Sequence, residues 1–224
     1  MIRAVLFDFD GVVVQSEPLH MRTFLELLAP YGVTVPERRW YREFAGTGSR
    51  HIFEVLVREH RLGLDVDALV ARRKELYESL VRSGHLKETR GVREFVSSIR
   101  KRGIRTAIVS GSHTTNIRAA IETLRLDGMF ELIVSGDDIK VRKPDPGPFL
   151  HAAKLLGASP PECLVIEDSY SGCEAARKAG MMLAWLKPDV DMDPPPGFDI
   201  SIPDFAGDSM PRLAALMRGR PKGH

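Results

Sequence analysis

One short stretch of the chain decides the fold: Ile2-Arg3-Ala4-Val5-Leu6-Phe7-Asp8-Phe9-Asp10-Gly11. Its first half is an almost continuous apolar run, and the run ends at a carboxylate. Such a pattern is typical of a strand that is buried on both faces, as in a parallel sheet. The stretch therefore predicts a first strand over residues 2–8, with Asp8 and Asp10 at its carboxyl end.

The same pattern returns several times further along the chain. Each later apolar run also ends at a polar or turn residue, and between the runs apolar residues recur at helical spacings of three and four. This alternation is typical of a parallel α/β sheet with helical crossovers, so we predict a doubly wound α/β core. The predicted strands are 2–8, 104–110, 132–135, 163–166, 181–186 and a short one near 200, and the predicted helices are 91–102, 114–124, 148–156, 170–179 and 211–217.

One long segment interrupts the alternation of strands and helices. From Glu17 to about Gly84 no run resembles a strand, and apolar residues follow helical spacing at 19–28, 52–60 and 66–81. We predict an inserted helical cap domain over 16–85, on a catalytic core made of 1–15 and 86–224. The cap would stand at the edge of the sheet where ligands bind in open α/β folds. We expect it to move as a lid, bending at 14–16 and 85–88, where apolar anchors are few.

The composition excludes several classes of protein. The 224 residues include 32 basic and 30 acidic side chains, a balance too even for a reader of nucleic acid or of membrane surfaces. An apolar content of 43% is that of a folded globular protein. Two cysteines are too few for a disulfide framework or a four-cysteine zinc site. Without a signal sequence or an apolar run of ~18–20 residues, we expect a cytoplasmic protein, monomeric by default.

Polar residues that can carry chemistry stand at the ends of the predicted strands. Because the carboxyl ends of parallel strands meet at one edge of a sheet, we expect these side chains to converge in a single crevice. Each of them alone would be an ordinary turn, helix cap or surface charge. The set comprises Asp8 and Asp10 after the first strand, Ser110 and Gly111 after the second, Lys143 after the third, and Glu167 and Asp168 after the fourth.

Together these residues predict a site for magnesium and a phosphoryl group. Carboxylates crowded at the end of a buried sheet repel one another, which raises their pKa values unless a cation lies among them. Ligands that are all oxygen suit Mg²⁺, which typically bridges protein carboxylates to a phosphate. Lys143 and the hydroxyl of Ser110 supply the donors that a phosphate needs.

Four ordered motifs carry a resemblance to a known family. The segments Asp8-Phe9-Asp10-Gly11-Val12-Val13, Ser110, Lys143-Pro144 and Glu167-Asp168-Ser169 resemble the motifs of the haloacid dehalogenase superfamily, and the helical insert resembles its first type of cap. Ser16-Glu17-Pro18-Leu19-His20 and Lys143-Pro144-Asp145-Pro146 resemble its β-phosphoglucomutase-like branch. The resemblance extends from residue 2 to about residue 190. It implies a Mg²⁺-dependent phosphatase acting on a small phosphomonoester, such as a sugar phosphate.

The resemblance also implies a role for each core residue. Asp8 would be the nucleophile that forms an aspartyl-phosphate, and Asp10 the general acid and base. Mg²⁺ would be held by Asp8, the main-chain carbonyl of Asp10 and Asp168, with Glu167 acting through water. Ser110, Gly111 and Lys143 would bind the transferring phosphoryl group. The similar dehalogenases lack a carboxylate at the position of Asp10, so its presence favours phosphoryl chemistry.

The cap would choose the substrate. His20, Arg50 and Lys74 are the cap side chains expected to face the crevice, and Gly46 opens the expected specificity loop, Gly46-Thr47-Gly48-Ser49. Arg50 and Lys74 could equally be exposed helix charges.

Three alternative functions stay open at this point. A phosphomutase would return the phosphoryl group to a bound sugar, but Gln15 and His113 replace an aspartate and a lysine that the resemblance leads us to expect there. A phosphonatase would need a cap lysine that forms a Schiff base, and Lys74 has only the residue type in its favour. A non-enzymatic receiver module would have about 120 residues and no helical insert.

Overall fold

The computed structural model describes residues 1–191 and 193–218, so the predicted core segment 86–224 includes positions, 192 and 219–224, that lie outside the described residues. Six parallel strands form one sheet in the order β3-β2-β1-β4-β5-β6. The predicted doubly wound α/β fold is confirmed. The strands are β1 (Ala4–Phe7), β2 (Arg105–Val109), β3 (Leu132–Val134), β4 (Cys163–Glu167), β5 (Met182–Leu186) and β6 (Ile200–Ile202).

Strand β1 lies at the centre of the sheet, between β2 and β4. Its side chains alternate between two fully buried apolar clusters, with Val5 and Phe7 on one face and Ala4 and Leu6 on the other. This double burial explains the unbroken apolar run in the sequence. The strand order reverses direction at β1, which places the end of β1 at the point where open α/β sheets bind their ligands.

Helices cover both faces of the sheet. The cluster that contains Phe7 also takes in apolar side chains of α5 (Val92–Arg100), α6 (Thr114–Thr123) and α9 (Ser209–Met217). The cluster that contains Leu6 takes in those of α7 (Gly147–Leu155) and α8 (Tyr170–Lys178). Among the described residues, no helix combines the length and the apolar composition that crossing a bilayer requires.

The described residues between β1 and α5 form helices and turns, with isolated bridges in place of a strand. An aromatic core of their own joins Phe24 to Trp40 and Phe53, with ring centroids 5.3 and 4.5 Å apart. The C-terminal half of the last of these helices also packs on the main core, through Tyr77 and Val81. The boundaries 16–85 therefore stay a prediction. The helices are α1 (Glu17–Leu28), α2 (Glu37–Arg39, continuing as a π-helical turn over Trp40–Phe44), α3 (Ser49–Glu59) and α4 (Val66–Arg82).

The two segments that connect the helical insert to the core are bound to each other. The Gln15 main-chain N–H donates to the Lys87 carbonyl, and its side-chain amide donates to Thr89 Oγ1, both at 2.8 Å. The side chain of Gln15 therefore helps to join the two connecting segments. Contrary to our expectation of few apolar anchors, Val14 and Leu86 are buried here, because the paired segments lie on the main core.

Candidate active site

Three of the predicted residues meet at the carboxyl edge of the sheet. Asp8 directly follows β1, Glu167 ends β4, and Lys143 reaches them from the loop between β3 and α7. The Lys143 ammonium donates hydrogen bonds to Asp8, to Glu167 Oε1 at 2.6 Å and to the Val109 carbonyl at 3.0 Å. One cation therefore bridges two carboxylates on neighbouring strands.

The charges in this cluster are strongly coupled because they are buried. Burial by itself lowers the pKa of Lys143, but Asp8 and Glu167 outweigh it and hold that pKa above its ordinary value. Burial raises the pKa of Asp8, and although Lys143 opposes the rise, Glu167 and Asp10 add to it. Lys143 therefore stays cationic, but its single positive charge does not offset the burial of Asp8 and the negative charges of Glu167 and Asp10.

Glu167 holds Lys143 in position. Its side chain is fully buried, and its second oxygen, Oε2, accepts hydrogen bonds from the main-chain N–H and the hydroxyl of Ser169, both at 2.9 Å. A Cβ atom at Gly172 would overlap the Glu167 carboxylate, so only glycine fits there. Since both oxygens of Glu167 have partners, its predicted water-mediated contact to a metal stays a prediction.

Asp168 differs from Glu167 in its partners. It is almost fully buried, yet its carboxylate accepts no hydrogen bond from any described residue. Burial, Glu167 and Asp8 all raise its pKa. The carboxylate lies against the backbone of Gly11, where a Cβ atom would overlap it. Two buried and undercompensated carboxylates, Asp8 and Asp168, are the donors that a hard cation such as Mg²⁺ prefers.

A cation at this site would need ligands other than side chains, such as main-chain carbonyls, water or phosphate oxygens. In the described part of the chain, no three His, Cys, Asp or Glu side chains are arranged so that they could hold a metal ion. The set predicted from the sequence uses only two side-chain carboxylates, together with the main-chain carbonyl of Asp10. The residues present fit Mg²⁺ on that basis, because this ion commonly keeps several waters and takes phosphate oxygens as ligands.

Both oxygens of the Asp10 carboxylate are hydrogen-bonded. Oδ1 accepts from the Ser16 hydroxyl at 2.7 Å and lies 3.2 Å from His20 Nε2, while Oδ2 accepts from the Ser112 hydroxyl at 2.6 Å. Burial would raise the pKa of Asp10, but hydrogen bonds from His20, Ser112 and Ser16 outweigh it and hold the pKa well below its ordinary value. These contacts favour the ionised form of Asp10.

His20 connects Asp10 to the helical insert. The Arg73 guanidinium donates to His20 Nδ1, so Nε2 carries the proton that is shared with Asp10. The His20 ring also stacks on Tyr77, with centroids 4.5 Å apart and an angle of 8° between the planes. Arg73 is fixed in turn by Ser49, whose hydroxyl accepts from it at 2.8 Å. A continuous polar chain thus links α4 to the end of β1.

Ser110 and Gly111 follow β2 at the same edge of the sheet. Ser110 is buried, and its hydroxyl accepts a hydrogen bond from the main-chain N–H of Ser112 at 3.0 Å. Gly111 is exposed, and a Cβ atom placed there would meet open space. There is open space beside Gly111, and the binding of phosphate by Ser110 and Gly111 stays a prediction.

The predicted cap residues are placed unequally. His20 is part of the site, and Gly46 lies against Ser169 and Ser171 at the start of α8. Arg50 is exposed and pairs with Asp67.

Lys74 is also exposed, on α4. The structure therefore does not bring Arg50 or Lys74 to Asp8, and it brings Arg73 to the site instead.

Sequence reasoning missed Ser16, Ser112 and Arg73. Arg73 did leave a signal, because it stands four residues after Leu69 and four before Tyr77, on the apolar stripe of α4. A lone arginine in such a stripe needs a polar partner. Ser16 stands in a motif quoted above and Ser112 directly follows Gly111, but neither serine shows a pattern of its own that indicates a contact with Asp10.

Comparisons with known proteins show to which family the chain belongs. The family model for haloacid dehalogenase-like hydrolases matches residues 2–180. The phosphorylated carbohydrates phosphatase of Thermotoga maritima is 34% identical over 185 residues, which cover 80% of this chain and 82% of that protein. The fructose-1-phosphate phosphatase YqaB of Escherichia coli is 29% identical over 177 residues, which cover 79% of this chain and 92% of that protein.

A solved structure shows the same fold. The crystal structure of the β-phosphoglucomutase of Clostridium difficile superposes with a TM-score of 0.71. The match covers 83% of this chain and 84% of that one, at 21% sequence identity.

Proposed function

The chain belongs to the haloacid dehalogenase-like hydrolases, in their β-phosphoglucomutase-like branch, and from that premise we propose that it hydrolyses a sugar phosphate with Mg²⁺ through an aspartyl-phosphate on Asp8. It is a phosphoric monoester hydrolase. One observation carries the proposal: the buried Asp8 is paired with Lys143 at the reversal point of the sheet, with a second carboxylate, Asp10, two residues further on. The names of the two relatives support a phosphorylated sugar as the substrate.

The first half of the reaction would transfer the phosphoryl group to Asp8. An oxygen of Asp8 attacks phosphorus, and the bond between phosphorus and the sugar oxygen breaks. The leaving oxygen takes a proton from Asp10, which must first be protonated. A phosphate dianion next to Asp10 favours that form, because negative charge raises the pKa of a neighbouring carboxyl group. Lys143 neutralises the charge that develops on the phosphoryl oxygens.

The second half would release inorganic phosphate. Asp10, now ionised, accepts a proton from a water molecule, and the oxygen of that water attacks phosphorus. The bond between phosphorus and Asp8 breaks, which regenerates the carboxylate. The three donors around Asp10 orient its carboxylate and favour the ionised form, which is the form that can accept a proton.

Metal and phosphate binding would fall to the strand ends. Asp8, Asp168 and the main-chain carbonyl of Asp10 would hold Mg²⁺, with Glu167 contributing through water. The bound ion would supply neutralisation of the phosphoryl charge. Ser110 and Gly111 would bind the phosphoryl oxygens from the end of β2.

The helical insert would act as the lid and choose the substrate. His20 and Gly46 already lie at the crevice. Arg50 and Lys74 are exposed in this conformation, so a contact of either with substrate would require the lid to close further. Closure would also exclude water while the phosphoryl group is being transferred.

We propose a monomer that works in the cytoplasm on a small phosphorylated metabolite and has no nucleic-acid or membrane partner. The even balance of 32 basic and 30 acidic side chains supports the last point. Two free, buried cysteines are compatible with a reducing compartment.

The test is an assay of inorganic phosphate released from sugar phosphates and from p-nitrophenyl phosphate. We expect activity that is lost on exhaustive chelation and restored by added Mg²⁺. Measuring isomerised sugar phosphate in the same reaction separates hydrolysis from phosphoryl transfer between sugars. Full activity after chelation would contradict the role of the metal, and isomerisation without phosphate release would favour a mutase.

A further inference from the structure

Glu17 is a buried carboxylate that the reaction above does not use. It is the first residue of α1, and only 5% of its surface is exposed. Its Oε2 accepts a hydrogen bond from the indole N–H of Trp40 at 2.8 Å. Burying a carboxylate costs free energy unless both of its oxygens accept hydrogen bonds. The other oxygen, Oε1, therefore needs a partner.

The second oxygen of Glu17, Oε1, has no hydrogen-bond partner among the described residues. Yet in the same part of the chain, every fully buried side-chain oxygen or nitrogen has a hydrogen-bond partner. It follows that Oε1 is not fully enclosed, although the residue as a whole is.

Glu17 lies close enough to Asp10 for their charges to interact. Residues 17 and 20 are three apart on α1, so Glu17 and His20 share one side of the helix, and His20 contacts Asp10. The charge of Glu17 also interacts with those of Asp168 and Arg73. Asp10 protonates the oxygen that leaves, so this is the side on which the leaving group must lie.

The surrounding charge limits what can bind at Oε1. Burial raises the pKa of Glu17, and the neighbouring Asp10 adds to the rise, while His20 and Trp40 oppose it. A second phosphate at this point would meet three carboxylates, those of Glu17, Asp10 and Asp168, against the one guanidinium of Arg73, so repulsion would prevail. Neutral hydrogen-bond donors fit, because a carboxylate only accepts.

We infer that Glu17 binds hydroxyl groups of the leaving group and so selects polyhydroxylated phosphate esters over esters that carry no hydroxyl. This inference rests on the proposed phosphatase function and deepens it. Glu17 contacts the part of the substrate that is not transferred. Its loss should therefore affect hydroxylated substrates and leave simple esters largely unchanged.

The experiment compares two kinds of substrate in three proteins. The substrates are the best sugar phosphate from a panel (fructose 1-phosphate, glucose 1-phosphate, glucose 6-phosphate and ribose 5-phosphate) and p-nitrophenyl phosphate. The proteins are the wild type, Glu17→Gln and Trp40→Phe. Glu17→Gln keeps the shape and an acceptor for Trp40, whereas Trp40→Phe removes the indole donor and leaves the carboxylate.

We expect Glu17→Gln to lower the ratio of kcat/KM for the sugar phosphate to that for p-nitrophenyl phosphate by about ten- to a hundredfold, the effect of losing hydrogen bonds to a charged group. Trp40→Phe should leave this ratio within about twofold. An equal loss on both substrates, or an equal change in the ratio for Trp40→Phe, would overturn the inference in favour of a purely structural role for Glu17.

Deoxy analogues of the best sugar phosphate provide a second test that does not depend on how well the variant folds. In the wild type, kcat/KM for at least one analogue should be about tenfold lower than for the parent sugar phosphate. In Glu17→Gln, the same analogue and its parent should have equal kcat/KM. If no analogue is affected, or if p-nitrophenyl phosphate is hydrolysed but no sugar phosphate is, the inference is wrong while the phosphatase function stands. If no ester is hydrolysed at all, the proposed function itself fails.

Discussion

The crevice at the sheet edge and the outer surface of the helical insert both carry ion pairs, and the pairs differ in burial. Lys143 and its partners Asp8 and Glu167 have side chains that are at most 12% exposed. Arg50 and Asp67 on the insert are 55% and 74% exposed. Water screens the exposed pair of Arg50 and Asp67, so this pair contributes little to stability. Water is excluded from the buried cluster around Lys143, so loss of one partner there would leave an uncompensated buried charge.

The two regions also differ in how their geometry arises. A residue that follows a buried parallel strand is placed by the sheet itself, whatever its side chain. On a helix, the direction of the side chain changes by about 100° from one residue to the next, so neighbours in sequence point to different sides of the helix. Arg73 lies at the site and Lys74 lies in solvent for that reason. Mutations should therefore have large effects in the crevice and small ones on the insert.

Replacing the nucleophile should have the largest effect. Asp8→Asn keeps the size of the side chain and removes the attacking anion, so we expect kcat to fall by about 10⁴-fold or more. Circular dichroism and the melting temperature should show that the fold is kept. Turnover close to that of the wild type would mean that water attacks the substrate directly.

A buried glycine should come next. Gly172→Ala places a methyl group where the Glu167 carboxylate lies, which displaces the partner of Lys143. We expect a loss of about 1–3 kcal/mol in the free energy of unfolding, as for other overpacked positions, and a clear drop in kcat. Gly63→Ala is the matched control, because a Cβ atom there meets nothing within 4 Å and needs no unusual backbone angle. Equal denaturation midpoints for the two variants would argue against the observed packing.

The chain of contacts from α4 to Asp10 should have an intermediate effect. Arg73→Ala removes the donor to His20 Nδ1, so we expect kcat for p-nitrophenyl phosphate to fall about tenfold because Asp10 is less well positioned. Lys74→Ala, one residue away, should change it less than twofold. If the two variants behave alike with this small ester, the polar chain has no part in the reaction.

The smallest effects are expected on the outer surface of the insert. Arg50→Ala and Lys74→Ala should leave the melting temperature and the hydrolysis of p-nitrophenyl phosphate nearly unchanged, since both side chains are exposed. Their proposed role in the closed lid would instead change the order of preference among sugar phosphates. Loss of activity on every ester alike would mean that the insert supplies catalytic groups.

This contrast explains how much could be predicted from the sequence. The alternation of apolar runs and helical spacings was sufficient to predict the α/β fold. The positions of Asp8, Lys143 and Glu167 after predicted strands were sufficient to predict that they lie close together. The strand order and the direction of Arg73 were not predictable, because both depend on packing between distant segments. The bond from Gln15 to Thr89 joins residues 74 positions apart, so nothing near Gln15 indicates it.

The central claim is that Asp8 carries the phosphoryl group during turnover. Rapid acid quench during hydrolysis of a sugar phosphate or p-nitrophenyl phosphate in the presence of Mg²⁺, followed by mass spectrometry of the peptide around residue 8, tests it directly. We predict a peptide that carries one phosphoryl group on Asp8 in the wild type, and an unmodified peptide in Asp8→Asn. Steady release of phosphate with Asp8 unmodified, or a phosphoryl group on another residue, would contradict the claim.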